Sequence, residues 1–447
     1  MSPRSCRILA LRSAFLAPLL LLSVVAHAQL RLPSLGSTLS PISRTPVLQR
    51  VEPLVDNVLA PVDLAAARLQ EVTERAHAHR RALDRDPRGE LIVRAEVLAQ
   101  PSSPAARDAL VAAGFRPLRD DALAGLDDML LVMKAPAGVD LADAVARARA
   151  IDPQGAYDFH HVYLGSGSVG ATAAAPSAVG ASRPRVADAG ALRVGLIDSG
   201  VDSRHPAFAH AQIQRHGCSD GTHPAAHGTA VASLMVGADA PFNSALPRAT
   251  LLAADVYCDE ATGGSVEAIA RELAWLAQMR VAVVNISLVG PPNQILQRLV
   301  ARAVGQGMLI VAAVGNDGPA APPLYPAAWP GVVGVGAVDG KLRLLAEGAR
   351  GPQVMFVAPG ADMAAAANGT RAFVPVRGTS FAAPFVAGLL AAGYQAASPE
   401  GARDAIARLA ISAHDLPQPA PRDGIGRGLV AEALRTAPDS VGLARER

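Results

Sequence analysis

From residue 192 onward the chain is punctuated by short runs that are apolar at nearly every position, at 192–197, 251–256, 281–288, 308–314 and 332–338. Helical patterns lie between several of them, as at 265–278 and 294–305. A strand with one wet face alternates apolar and polar residues, whereas a strand apolar throughout has both faces covered. Such strands alternating with helices specify an α/β fold, a mainly parallel sheet with helices on both faces. Chemistry in these folds gathers beyond the carboxyl ends of the strands.

Four residues stand at such places. Asp198 closes the first run and precedes Ser199-Gly200, and His227 opens a small-residue helix as His227-Gly228-Thr229. Asn316 follows the 308–314 run in Gly315-Asn316-Asp317-Gly318, and Ser380 stands in Gly378-Thr379-Ser380-Phe381-Ala382-Ala383-Pro384 at the mouth of an apolar helix. Alone, Ser380 reads as a helix-capping serine. A serine nucleophile needs a base, a group to orient that base, and donors for an oxyanion. The other three residues are candidates for those roles, and the free N–H groups of the Ser380 helix favour developing negative charge.

These motifs, in this order, resemble the subtilisin-like serine peptidases; the order Asp, His, Ser is itself a known mark of that family. The resemblance covers about 245 residues and includes Asn285-Ile286-Ser287-Leu288, Ala358-Pro359-Gly360 and Gly426-Arg427-Gly428-Leu429-Val430. It implies Ser380 as nucleophile, His227 as base and later acid, Asp198 as the group holding the imidazole, and Asn316 with the Ser380 N–H as oxyanion donors. It also implies that Ser287, Leu288, Val289 and Gly290 form one wall of the substrate cleft, and Ala312, Ala313 and Val314 the other. Two positions depart from the family pattern: Ala230 stands where a second histidine is frequent, and Val289 where glycine is usual, which is expected to narrow the cleft.

Upstream, Arg4, Arg7 and Arg12 precede an apolar run at 14–25 and then Ala26-His27-Ala28. This reads as a signal peptide over 1–28, since the run is shorter than the roughly 20 residues that span a bilayer. Cys6 lies before the run, where no lipid would be attached, and leaves with it. Export leaves Cys218 and Cys258 as an even pair, expected as one disulfide. Residues 29–86 read as a partly helical extension whose role is not legible. Residues 87–168 alternate as strand, helix, strand, strand, helix, strand, the ferredoxin-like order, and this small α+β domain resembles the family's inhibitory propeptide. Residues 169–190 are rich in Gly, Ala and Ser, with a Pro-bearing stretch and without periodicity, and read as a flexible linker. The peptidase domain is expected over 191–435, with a tail at 436–447. By the resemblance the chain is a zymogen, cut between about 164 and 185.

A formal charge of +2 with dispersed Arg and Lys gives no reason to expect nucleic-acid binding. His223 and His227 are four apart, but Pro224-Ala225-Ala226 between them lacks the glutamate and helix of a zinc motif. No cofactor is expected; the family often carries structural calcium, and no loop is acidic enough to name a site. The expected protein is an exported, periplasmic or extracellular monomer without a membrane span after signal removal. Its partners are a peptide or protein substrate and its own propeptide as intramolecular inhibitor. Two alternatives are a catalytically silent peptide-binding relative and an α/β-hydrolase esterase; the latter is disfavoured because Ser380 lies in GTSFA and not in GxSxG.

Overall fold

In a computed structural model, which describes residues 61–170, 192–219, 221–238 and 242–443, two layered domains share one chain. Residues 1–28, expected as a signal peptide, residues 29–60 of the expected extension, residues 171–190 of the expected linker and the last four residues lie outside the described residues.

The first domain opens with α1 (Pro61–Ala78) and β1 (Leu83–Arg85), continues with β2 (Leu91–Gln100), α2 (Pro104–Ala112), β3 (Arg116–Leu123), β4 (Asp128–Lys134) and α3 (Leu141–Ile151), and ends with β5 (Ala156–His161). Local chemistry sets the helix starts. Ser103 accepts from the Ala106 N–H ahead of Pro104, and Asp140 accepts from the Ala142 N–H. The antiparallel order is β5-β2-β4-β3, the ferredoxin-like arrangement, with β1 added beside the first residues of β2. The small domain therefore begins before residue 87: β1 pairs Leu83 with Val93, and Val72 of α1 is buried with Leu83 and Leu91. This corrects the expected boundary, which took 29–86 as a separate extension.

Short strands follow, β6 (Leu164–Gly165) and β7 (Ser168–Val169), and then the larger domain. Its strands are β8 (Arg193–Asp198), β9 (Gln212–His216), β10 (Thr250–Asp255), β11 (Val283–Ile286), β12 (Leu288–Val289), β13 (Leu309–Ala313), β14 (Val333–Val338), β15 (Val354–Pro359), β16 (Met363–Ala366) and β17 (Phe373–Arg377). Its helices are α4 (Ala226–Val236), α5 (Val266–Gln278), α6 (Gln294–Gly305), α7 (Thr379–Gly393), α8 (Pro399–Ser412) and α9 (Arg422–Ile425). Seven strands form one parallel sheet in the order β15-β14-β13-β11-β8-β10-β9. Alternation along each strand splits the core in two. Val194, Leu196, Leu251 and Ala253 pack with α4 and α7, while Ile197, Leu252 and Ala254 pack with α5 and α6. The chain adds β9 and β10 on one side of β8 and β11, β13, β14 and β15 on the other. The end of β8 is thus the switch point of the sheet, and Asp198 stands on it.

The same alternation docks the small domain. Val97 and Ala99 of β2 face its own core with Leu110 and Val145, whereas Leu98, Leu130, Val132 and Ala156 enter the core shared with α5 and α6. Polar contacts fix the placement. Asp158 accepts from the Gln294 N–H at the start of α6 at 2.7 Å, and Arg119 donates to both Glu96 and Glu267 at 2.7 Å. Residues 436–443 of the expected tail are packed on the larger domain: Val441 and Leu443 are buried in its core, and the Thr436 carbonyl accepts from the Ala364 N–H.

Candidate active site

His227 enters the site from the first turn of α4 and Asp198 from the end of β8. The His227 Nδ1–H donates to Asp198 Oδ1 at 2.8 Å. That oxygen also accepts from the Ser199 N–H at 2.7 Å and from the Ser199 hydroxyl at 3.1 Å, and Ser199 Oγ accepts from the Gly228 N–H at 2.9 Å. Ser199 thereby ties the strand carrying Asp198 to the helix carrying His227. Gly228 is required for the approach, because a Cβ there would lie 1.9 Å from the Ser199 carbonyl oxygen. Asp198 is fully buried. Burial disfavours the His227 imidazolium, but the Asp198 charge and hydrogen bond, with a contribution from the Ser166 main chain, outweigh it and raise the His227 pKa above the ordinary histidine value.

Ser380 lies in the first turn of α7, fully buried. Pro384 sits four residues on and has no N–H, so the Ser380 carbonyl lacks its helical donor. The Ser287 hydroxyl supplies one at 3.0 Å, and the Ser380 hydroxyl donates in turn to the Ser287 carbonyl at 3.2 Å. His227 Nε2 is buried and is not hydrogen-bonded to the Ser380 hydroxyl. Asp198 and His227 are therefore in register, while the Ser380 hydroxyl is turned onto β11–β12 and must rotate to reach the imidazole.

Asn316 follows β13. Its Oδ1 accepts from the Thr379 N–H at 3.0 Å, and the Thr379 hydroxyl accepts from the Gly315 N–H at 3.1 Å. This pair fixes the amide so that Nδ2 points to the cleft, where it donates to Ser166 Oγ at 2.7 Å. Thr379 and Ser199 were not singled out in the sequence; Ser199 adjoins Asp198 and holds its Oδ1, and Thr379 adjoins Ser380 and holds the Asn316 amide.

The cleft holds the chain's own segment. Leu164 pairs with Val289 and Gly165 with Leu288, antiparallel, and beyond the site Ser168 pairs with Arg377 and Val169 with Val376. The expected linker thus starts later than residue 169, since Val169 is paired and the Gly170 N–H donates to the Pro375 carbonyl. Of the expected walls, Ser287 to Gly290 lie along this segment. Ala312, Ala313 and Val314 are buried, with side chains in the two cores of the sheet. Val289 pairs through its main chain and is itself buried, so a β-branched residue is accommodated here.

Cys218 and Cys258 form a disulfide with a Cα–Cα distance of 5.4 Å. Two groups of side chains bring three metal-type donors together among the described residues, and neither fits calcium's oxygen cage. In Cys218, Asp255 and Cys258 the sulfurs are bonded to each other, and in Glu96, His160 and Glu267 the Arg119 guanidinium already holds both carboxylates.

The subtilase family model matches residues 190–428, more than half of the chain. The chain belongs to the subtilase family. Subtilisin E of Bacillus subtilis (strain 168) is 31% identical over 218 residues, 45% of this chain and 54% of its own length. The thermophilic serine proteinase of Bacillus sp. (strain AK1) is 33% identical over 209 residues, 44% of this chain and 51% of its own. This subtilase thus spans about half the length of these curated relatives. Among solved structures, fervidolysin from Fervidobacterium pennivorans, a keratinolytic enzyme related to subtilisin, aligns with a TM-score of 0.59 at 17% identity, covering 77% of this subtilase and 61% of that chain. At that identity the likeness is one of fold.

Proposed function

We propose that this subtilase is an exported serine endopeptidase, made as a zymogen, that hydrolyses peptide bonds through an acyl-enzyme on Ser380. The observation that carries the reading is the extended segment in the cleft, paired with β12 on one side and β17 on the other, between which His227 and Asn316 meet it. An extended polypeptide bound as an added strand is the binding mode expected of a peptidase substrate. In this reading Ser380 rotates from the Ser287 carbonyl to His227 Nε2 and gives up its proton on attacking a carbonyl carbon. Asp198 holds Nδ1–H and steadies the imidazolium, and the Asn316 amide with the Ser380 N–H receives the oxyanion. His227 then protonates the departing amine, and water repeats the cycle on the ester. No cofactor takes part. The arginine-led apolar stretch of residues 1–28 and the Cys218–Cys258 disulfide both support export to an oxidising compartment. No helix among the described residues is long and apolar enough to cross a membrane.

The test is hydrolysis of a protein substrate by the processed protein. Asn316→Ala is expected to lower turnover by about 10²–10³-fold, the scale known for the corresponding subtilisin asparagine, with substrate affinity little changed. Equal turnover in the two proteins would remove Asn316 from the reaction.

The docking contacts predict how the inhibitory domain lets go. Burial opposes ionisation of Glu267, but the hydrogen bond from Arg119 and the charges of His160, Arg271 and Arg119 outweigh it and hold the carboxyl at about 2. A depressed carboxylate pKa favours the docked state fully above the group's ordinary value, and the advantage is lost as pH falls towards the depressed one. After cleavage the small domain is therefore expected to co-elute with the larger one at pH 7 and to separate as pH drops from about 4.5 towards 2. Glu267→Gln is expected to weaken co-elution at pH 7; unchanged co-elution would show that the apolar face alone holds the domains together.

A further inference from the structure

Arg68, Val72 and Arg75 of α1 stand at i, i+4 and i+7 and so share one helix face. That face lies on the segment that fills the cleft. Successive side chains of an extended segment point to opposite sides. Tyr163 turns to the large domain, where its hydroxyl donates to the Pro291 carbonyl at 2.7 Å. Leu164 turns the other way and is buried in a cluster with Val72, Leu91 and Val162. Every member of that cluster belongs to the small domain or to the segment, so Leu164 is covered from the side away from the large domain.

At each end of the face an arginine crosses to the large domain. Arg68 Nε lies 3.3 Å from Asp317 Oδ2, and its Nη2 donates to Glu90 Oε2 at 3.3 Å. Arg75 Nη2 donates to the Gly263 carbonyl at 3.4 Å, and its guanidinium lies 6.0 Å from the centre of the Tyr257 ring. The loops they reach are those that hold the two ends of the segment: Asn316, beside Asp317, donates to Ser166 Oγ, and Gly264, beside Gly263, accepts from the Tyr163 N–H. Seven helical residues rise about 10 Å and three extended residues span about 10 Å, so the two arginines are spaced to match Tyr163 and Ser166. The Arg68 and Asp317 side chains are only 13% and 17% exposed, which sets this pair apart from an open surface contact of little worth. Burial pushes the Asp317 carboxyl above the usual carboxylate range; Arg68 opposes this, while Glu90 and Glu71 add to it. Arg68 is thus the cation that lets these carboxylates gather beside the cleft.

We propose that the rim made by Asp317 at one end and by Gly263 and Tyr257 at the other is a docking surface for a helix carrying two guanidinium groups two turns apart, and that α1, seated there, is a strap that sets how slowly the small domain leaves the processed protein. The proposal rests on the zymogen reading. The strap lies outside the ferredoxin-like order of strands and helices, which begins at β2, and α1 supplies both of these contacts. Lifting the segment from the cleft requires α1 to give up both arginine contacts and to expose Val72 and Leu164 together.

The test isolates processed protein at pH 7 with the small domain bound, dilutes it, and follows hydrolysis of a chromogenic peptide and fluorophosphonate labelling of Ser380. Native protein is expected to show a lag. With Arg68→Ala and Arg75→Ala together the lag is expected to shorten about tenfold, the scale of a lost charge-assisted hydrogen bond, and the final rate to stay the same. Arg68→Asp should shorten it as well, and Asp317→Arg added to Arg68→Asp should bring it back toward the native value. A second readout excludes general loosening of the small domain. In the uncut Ser380→Ala chain, amide hydrogen exchange at residues 163–165 should quicken with the two arginine substitutions while β3 and β4 keep their protection; this comparison also decides the matter should the double variant not accumulate in processed form. An unchanged lag in the double variant, or equal loss of protection throughout the small domain, overturns the strap and leaves the peptidase reading standing. Native protein labelled at once on dilution removes the inhibitory domain and the strap with it. Protein that is never labelled and never hydrolyses the peptide overturns the peptidase reading too.

Discussion

Ser380→Ala is expected to lower turnover of a protein substrate by about 2 × 10⁶-fold, the loss known for the corresponding subtilisin serine, while leaving the fold in place. The structural cost of the change is small. The Ser380 hydroxyl makes one hydrogen bond, to the Ser287 carbonyl, and the bond that supports the helix is the reverse one, from the Ser287 hydroxyl to the Ser380 carbonyl. An alanine keeps that carbonyl. The variant should therefore accumulate as an uncut chain with the thermal stability of the native uncut chain, and with segment 164–169 still bound in the cleft. Measured turnover within tenfold of the native protein would mean that another group carries the reaction.

Asp198→Asn is expected to cost about 3 × 10⁴-fold, again the scale of the corresponding subtilisin residue. Two effects act together. Asp198 Oδ1 accepts from His227 Nδ1–H, the Ser199 N–H and the Ser199 hydroxyl, so an amide that places its NH₂ toward any of these donors loses the tautomer or the turn. Asp198 also leads the forces that raise the His227 pKa against burial. A base must be neutral to accept a proton, so activity falls as pH drops through the raised value. The acid limb of the native pH profile should accordingly lie above the ordinary histidine range, and that of Asp198→Asn at lower pH. A pH profile of kcat/KM in both proteins reads the shift, and coincident acid limbs would detach Asp198 from the base.

The parts of the site legible in the sequence are those that sit at the ends of strongly patterned elements. Asp198 ends a wholly apolar strand, His227 and Ser380 open small-residue helices, and Asn316 follows a buried strand, so each is marked by a change of pattern. The occupant of the cleft was expected from the resemblance to an inhibitory propeptide, and not from any pattern in the segment itself. Ser166, Gly167 and Ser168 belong to a Gly/Ser/Ala stretch whose composition resembles a linker, yet these residues are held because small side chains are what the crossing of Gly378 and Phe381 admits. β9 was missed because it is a polar edge strand, and β16 because Ala364, Ala365 and Ala366 carry little strand preference of their own and are fixed by pairing with β17. The early start of the small domain was hidden for the same reason: β1 has three residues and forms only on the edge that β2 offers.

The most direct test of the account is to treat the processed protein with a fluorophosphonate and map the adduct by peptide mass spectrometry. The account predicts a single modified residue, Ser380, with labelling slowed as pH falls through the His227 pKa and absent from Ser380→Ala. A processed protein that takes up no probe, or a Ser380→Ala protein that is labelled as fast as the native one, would contradict it.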